Sequence, residues 1–220
     1  MYKANLKLIG DKVRAKFDQK DQAREKALPL AREVIRHSAD AIRAIHRSEF
    51  AEAKELIAQN VNILKQIDES LKDHPDLFWA GFVHDAQKEH AEANATYALV
   101  NREPLPDPDE LGVSASAYMN GLGEAVGELR RHILDEIRTR GSAWGEEMLS
   151  SMDDIYYVMV SMDYPGGITG GLKRTSDVTR SIIEKTRGDL TGAIRSQHLE
   201  EAMRKLEAKL EELEGPDEGK

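Results

Sequence analysis

The stretch Leu77–Asn101, LFWAGFVHDAQKEHAEANATYALVN, decides how the rest of the chain is read. At helical period, Trp79, Phe82, Ala86, His90, Ala93, Tyr97 and Val100 fall on one apolar stripe. Asp85, Glu89, Glu92 and Thr96 form a second stripe about one 100° step away. Two carboxylates one turn apart therefore stand at the margin of a face that seeks burial. Spacing alone leaves two readings open. One is a solvated helix flank, common in a Glu-rich chain. The other is a site for a hard cation, since Mg²⁺ takes one or two carboxylates together with water and phosphate oxygens.

Composition narrows the choices. The chain has 220 residues, no cysteine and a net charge of −9. Disulfides and thiolate metal sites are excluded, so nothing calls for an oxidising compartment. No apolar run approaches a membrane span, and MYKANLKLIGDKVRAKF lacks the apolar core and cleavage site of a secretory signal. A cytoplasmic protein with no membrane partner is the expectation. The acidic balance argues against a generic cationic nucleic-acid binder but leaves room for a local basic stripe.

Sparse prolines separate long segments of 3.6-residue periodicity, and strand-like alternation is almost absent. The pattern predicts six long helices and no sheet, an all-α bundle in a single domain over residues 1–220, with 215–220 a frayed tail. The first helix runs to about Arg47, with Leu28, Ala31, Ile35, Ile42 and Ile45 inward and Pro29 marking a kink or break. Arg32, Arg36, Arg43 and Arg47 share one flank of it, either solvated or contacting phosphates. Ser48 is the expected cap of the second helix, Glu49 to Lys72, and Asp76 the cap of the third. Asn101 to Ser114 carries three prolines and reads as a loop with one helical turn at Asp109 to Leu111. It is not taken as a domain boundary, because neither side holds a full bundle.

The fourth helix starts at Ser114 or Ser116 and ends at Gly141, burying Leu122, Val126, Leu129, Ile133 and Ile137. Gly121, Gly123 and Gly127 each weaken it by roughly 1 kcal/mol relative to Ala, which signals close approach of another helix. Glu124, Glu128, Arg131 and Asp135 line its polar flank. The fifth helix, about Ser142 to Met162, has a methionine-rich inner stripe with Asp153 and Asp154 beside it. An acid in such surroundings must be paired, hydrogen-bonded or metal-bound. Tyr164 to Gly171 is a glycine-rich connection and not a P-loop, since Leu172 and Lys173 stand where Lys and Ser/Thr are required. The last helix opens with Lys173 and Arg174. Leu199, Met203, Leu206, Leu210 and Leu213 then form about two heptads, fit for an internal core or another subunit.

Several short motifs together resemble the translin family, and within it the catalytic branch of translin-associated factor X. Leu30-Ala31-Arg32-Glu33 through Ile45-His46-Arg47 is similar to that branch's L-S-R-D…L-H-R. Glu89-His90-Ala91-Glu92-Ala93 resembles E-Y-V-E-A. Tyr118-Met119-Asn120-Gly121 with Glu128-Leu129-x-Arg131 is similar to Y-L-S-G and E-L-x-R, and Asp154-Ile155-Tyr156 stands at the place of D-G-F. Ile155 replaces the usual glycine and Asp153 adds a second acid. The resemblance implies an all-α, translin-like bundle of six to seven long helices assembling into octamers that bind RNA or single-stranded DNA. For the catalytic branch it implies Mg²⁺- or Mn²⁺-dependent endoribonuclease activity. Carried over, the catalytic carboxylates fall on Glu89, Glu92 and Asp154, with Glu128 a fourth metal ligand. Arg32, Arg36, Arg43, Arg47, Arg131, Lys173 and Arg174 are the expected nucleic-acid contacts. The competing expectation is a non-catalytic binder of single-stranded nucleic acid, as translin largely is. A di-metal oxidase bundle is excluded, because no histidine follows a glutamate by three residues. Cysteine and G-x-S-x-G nucleophiles are absent.

Overall fold

A computed structural model describes residues 2–78, 80–140 and 143–214. Among them are helices α1 (Tyr2–His46), α2 (Phe50–Leu71), α3 (Pro75–Phe78), α4 (Gly81–Asn101) and α5 (Pro108–Leu111). These are followed by α6 (Ala115–Arg140), α7 (Ala143–Val160), α8 (Gly166–Thr169) and α9 (Leu172–Glu214). No strand occurs among the described residues. The protein is all-α, with six long helices and three of a single turn among the described residues. Trp79, Gly141, Ser142 and the tail 215–220 lie outside the described residues.

Helix α4 sits between the two halves of the bundle, packing on α1, α2 and α6. Its composition suits that place. Alanines at 86, 91, 93, 95 and 98 are all buried, so neighbours approach it from several sides. On one side, Ala27, Ala31, Val34, Ile67, Leu71 and Val83 close a core between α1, α2 and α4. On the other, Leu129, Ile133, Met152, Met159 and Leu190 close a core between α6, α7 and α9. Gly121 makes the α4–α6 contact possible. A Cβ there would stand 2.5 Å from the Lys88 carbonyl oxygen and 2.9 Å from the Ala91 Cβ. Gly123 has the same role toward α7 and α9, with Met159 and Thr175 in the way of a side chain. Gly127 has only an ordinary contact with Ile182, at 3.9 Å.

Several local expectations need correction. Ser48 does not cap α2. It adopts a left-handed φ of 61°, and Glu49 holds the cap position without a side-chain bond. Asp76 does not cap α4, because the chain turns after α3 and α4 starts behind Ala80. Asp76 instead pairs with Lys20 of α1. Pro29 does not break α1, which runs through it. The glycine-rich connection contains α8, and the C-terminal heptads continue α9 without interruption. The turn at α5 is set by a capping box: Asp107 accepts from the Glu110 backbone N–H, and the Glu110 carboxylate accepts from that of Asp107.

Candidate metal centre and nucleic-acid interface

Packing of α6 on α4 through Gly121 brings Glu124 against the two glutamates of α4. Glu89, Glu92 and Glu124 each offer an oxygen, and these atoms lie within 4.8 Å of one another. Oxygens on opposite sides of an Mg²⁺ ion would be about 4.2 Å apart, so a small inward rotation of side chains closes the set on an ion. The donor chemistry, all carboxylate, suits a hard divalent cation.

The electrostatics point the same way. Glu92 is 8% exposed, deeper than the stripe margin at which sequence placed it. Burial, and then the charges of Glu89, Glu124 and Glu128, push its carboxyl up from 4.5 to about 8. Glu89 is raised chiefly by burial, with Lys88 opposing. Lys88 supplies the cation of the metal-free site. Its Nζ donates to Glu124 Oε2 at 2.5 Å and lies 3.5 Å from Glu89 Oε1. Burial opposes the Lys88 charge most strongly. The bond to Glu124 and the charges of Glu124, Glu89 and Glu92 outweigh it and hold the ammonium above the ordinary lysine range.

The triad borders a cavity of about 600 Å³ lined by Glu92, Glu124, Gly170, Gly171, Arg174 and Thr175, among others. Asn120 lies behind this lining and braces it. The buried amide donates to the Thr169 carbonyl oxygen at 2.9 Å and accepts from Thr175 Oγ1 at 2.6 Å. It thereby fixes α8 and the start of α9 over α6. Gly170 and Gly171 both have positive φ, and a Cβ on Gly170 would meet His84 Nε2 at 2.9 Å. The glycine-rich connection is thus one wall of the cavity, and Arg174 just after it lines the same cavity as Glu92 and Glu124.

The other residues singled out from sequence are distributed as follows. Glu128 lies outside the triad. It bonds to His46 Nε2 at 2.6 Å, which holds its carboxyl below the usual range against the effect of burial. Asp154 is exposed on α7 and belongs to no group of three possible ligands among the described residues. Its neighbour Asp153 is held by Arg187 through both oxygens, at 2.8 and 2.9 Å. Arg32, Arg36 and Arg43 are exposed on α1, and Arg47 is exposed in the turn just after it. Arg43 pairs with Asp40 and Arg47 with Glu49, whereas Arg32 and Arg36 have no ion pair among the described residues. Arg131 and Lys173 are exposed. Sequence reasoning put Glu124 on a polar flank without making it a ligand. The signal that could have found it was its place three residues after Gly121, where α6 must touch α4.

These features define a class: an all-helical bundle with an acidic centre between α4 and α6, open to a cleft with a basic edge. No family model matches the chain. The uncharacterized protein MJ0175 of Methanocaldococcus jannaschii is 31% identical over 190 residues, covering 86% of this chain and 84% of that protein. The structure of AfC3PO in its duplex RNA complex superposes with a TM-score of 0.78 at 29% identity, over 84% of this chain and 96% of that one. A further AfC3PO crystal structure gives 0.77 at 29% identity, over 84% and 97%. Apo-NeC3PO, at 19% identity and a TM-score of 0.74 over 83% and 96%, shares the fold. The chain has the fold of the C3PO structures, at 29% identity to AfC3PO, which supports the translin family, and it shares 31% identity with the M. jannaschii protein.

Proposed function

We propose that this protein binds RNA and cleaves it with a divalent metal ion, Mg²⁺ or Mn²⁺, held by Glu89, Glu92 and Glu124. The observation that carries the reading is the carboxylate triad at the edge of a cavity whose rim bears Arg174. An ionised, buried Glu92 between two other acids is unfavourable without a cation, and a lone ammonium on one side offsets only part of that cost. The RNA-bound AfC3PO structure supports RNA as the ligand class. The motif resemblance supports the catalytic branch, that of translin-associated factor X, and names Asp154 of α7 as the rival catalytic carboxylate, outside the triad.

A bound ion would supply an activated water and offset charge on the scissile phosphate. The chain's own residues do the rest. Glu89, Glu92 and Glu124 fix the ion from two helices. Arg174 holds a phosphate oxygen at the cavity rim as a charge-assisted donor. Arg32 and Arg36, without acidic partners, are free to contact phosphates along the strand. Lys173 and Arg131 extend the positive edge. The protein works as a homo-oligomer, an octamer, which multiplies these modest basic patches over a shared RNA. Light scattering tests the assembly.

The test of function is labelled single-stranded RNA incubated with the intact protein in Mg²⁺ and in EDTA. Cleavage in Mg²⁺ alone is the expected result. Tight binding without cleavage in either buffer favours the second reading, a non-catalytic RNA or single-stranded DNA binder, which the acidic net charge and free arginines also permit.

A further inference from the structure

Both long terminal helices overrun the bundle. Every residue from 5 to 19 of α1 is exposed, and so is every residue from 195 to 210 of α9. Each overrun is some four turns long. A helix of that length without tertiary contacts is marginal in water. Both are also amphipathic. Leu6, Ile9, Val13 and Phe17 repeat at three and four residues, with exposures of 43–66%. Leu199, Met203, Leu206 and Leu210 do the same, at 49–62%.

The α1 stripe continues the face that buries Ala23, Ala27 and Ala31 further along the helix. The α9 stripe does not continue its core face. At 100° per residue, Leu199 lies about 180° from the buried Leu190, so the helices that cover Leu190 cannot cover it. Within one chain α1 packs on α2 and α4, and α9 on α6, α7 and α8. Neither arm therefore shields the other in the same chain.

Charge selects the partner. Residues 3–20 carry six basic and two acidic side chains, whereas residues 199–214 carry six acidic and three basic ones. Two α1 arms would repel each other, and so would two α9 arms. An α1 arm against an α9 arm buries both apolar stripes with complementary flanks, as flanking charges do in coiled coils.

We propose that the basic N-terminal arm of α1 in one copy of the chain packs along the acidic C-terminal arm of α9 in a second copy. Exchanged reciprocally the two arms close a pair, and joined one way they build a ring or larger assembly. This deepens the oligomer reading by naming the elements that join the copies.

The chain has no cysteine, which makes the test direct. Copies with Val13→Cys are mixed with copies carrying Met203→Cys or Leu206→Cys, all at exposed positions near mid-arm where either helix direction brings them together. After unfolding-free subunit exchange, mild oxidation should give the mixed covalent dimer as the main product. Homodimers of Val13→Cys or of Met203→Cys forming equally fast would overturn the pairing in favour of like arms. Absence of any covalent dimer, with an oligomer still seen by light scattering, would overturn the arm contact while leaving assembly intact. A monomer by light scattering would defeat the assembly reading itself and this contact with it.

Discussion

Replacing Glu92 by Gln should stabilise the metal-free protein at high pH and leave it almost unchanged at low pH. The carboxyl rises from 4.5 to about 8 in the folded state, first from burial and then from its acidic neighbours. A raised carboxyl is no burden below pH 4.5, where folded and unfolded chains both hold the proton. Above 4.5 the unfolded chain releases it and the folded chain does not, so stability falls until pH passes about 8. At 1.36 kcal/mol per unit, the loss across that window is about 5 kcal/mol. Gln keeps the shape and carries no charge. Urea unfolding in EDTA between pH 5 and 9 should therefore show the wild type losing stability relative to Glu92→Gln by several kcal/mol. Saturating Mg²⁺ should restore the wild type, by about 2.7 kcal/mol at a hundredfold excess over Kd, and leave the variant unmoved. Parallel curves for the two proteins across this range, or a variant less stable at pH 9, would refute the account of Glu92.

Gly121→Ala should destabilise by about 2–3 kcal/mol, because its Cβ meets α4 backbone that cannot yield. Gly127→Ala, with open packing, should instead stabilise by roughly 0.5–1 kcal/mol, and thermal unfolding of the pair separates steric need from helix propensity. Lys88→Gln should weaken the metal-free protein and make its melting temperature depend more steeply on Mg²⁺, since the ammonium that bonds Glu124 is gone; an unchanged Mg²⁺ response would show that Lys88 does not stand in for the ion. Reversing the charges of Arg32 and Arg36, or Arg174→Ala, should weaken RNA binding and flatten its salt dependence, as read by anisotropy titrations at several salt concentrations. An unchanged slope would make these arginines solvated flanks.

Much of the fold was legible because its helices are long and their apolar stripes clean. Leu129, Ile133, Met152 and Met159 repeat at helical period, and each is buried where that period puts it. The boundaries were less legible. Ser48 has the chemistry of a cap, but the tight reversal from α1 to α2 places it in the left-handed region instead. Asp76 likewise looks like a cap, yet the chain spends it on α3 and on the ion pair with Lys20.

The site was half legible. Glu89 and Glu92 are adjacent turns of one helix, so local spacing found them. Glu124 joins them only through the helix crossing at Gly121, which is tertiary information. Glycine density announced that crossing without saying which residues it would bring together. Asp154 was selected by motif, and its outward direction on α7 follows from the burial of Met152 and Ile155 on either side. The raised Glu92 carboxyl owes more to burial, which is tertiary, than to its acidic neighbours.

The most direct measurement of the central claim is cleavage of labelled single-stranded RNA in Mg²⁺ by the wild type, Glu124→Gln and Asp154→Asn, each first shown to bind RNA and to assemble normally. A centre built by α4 and α6 predicts that the wild type cuts, that EDTA stops it, and that Glu124→Gln binds RNA without cutting it. Full activity in Glu124→Gln, with loss confined to Asp154→Asn, would contradict the triad and move the chemistry to α7.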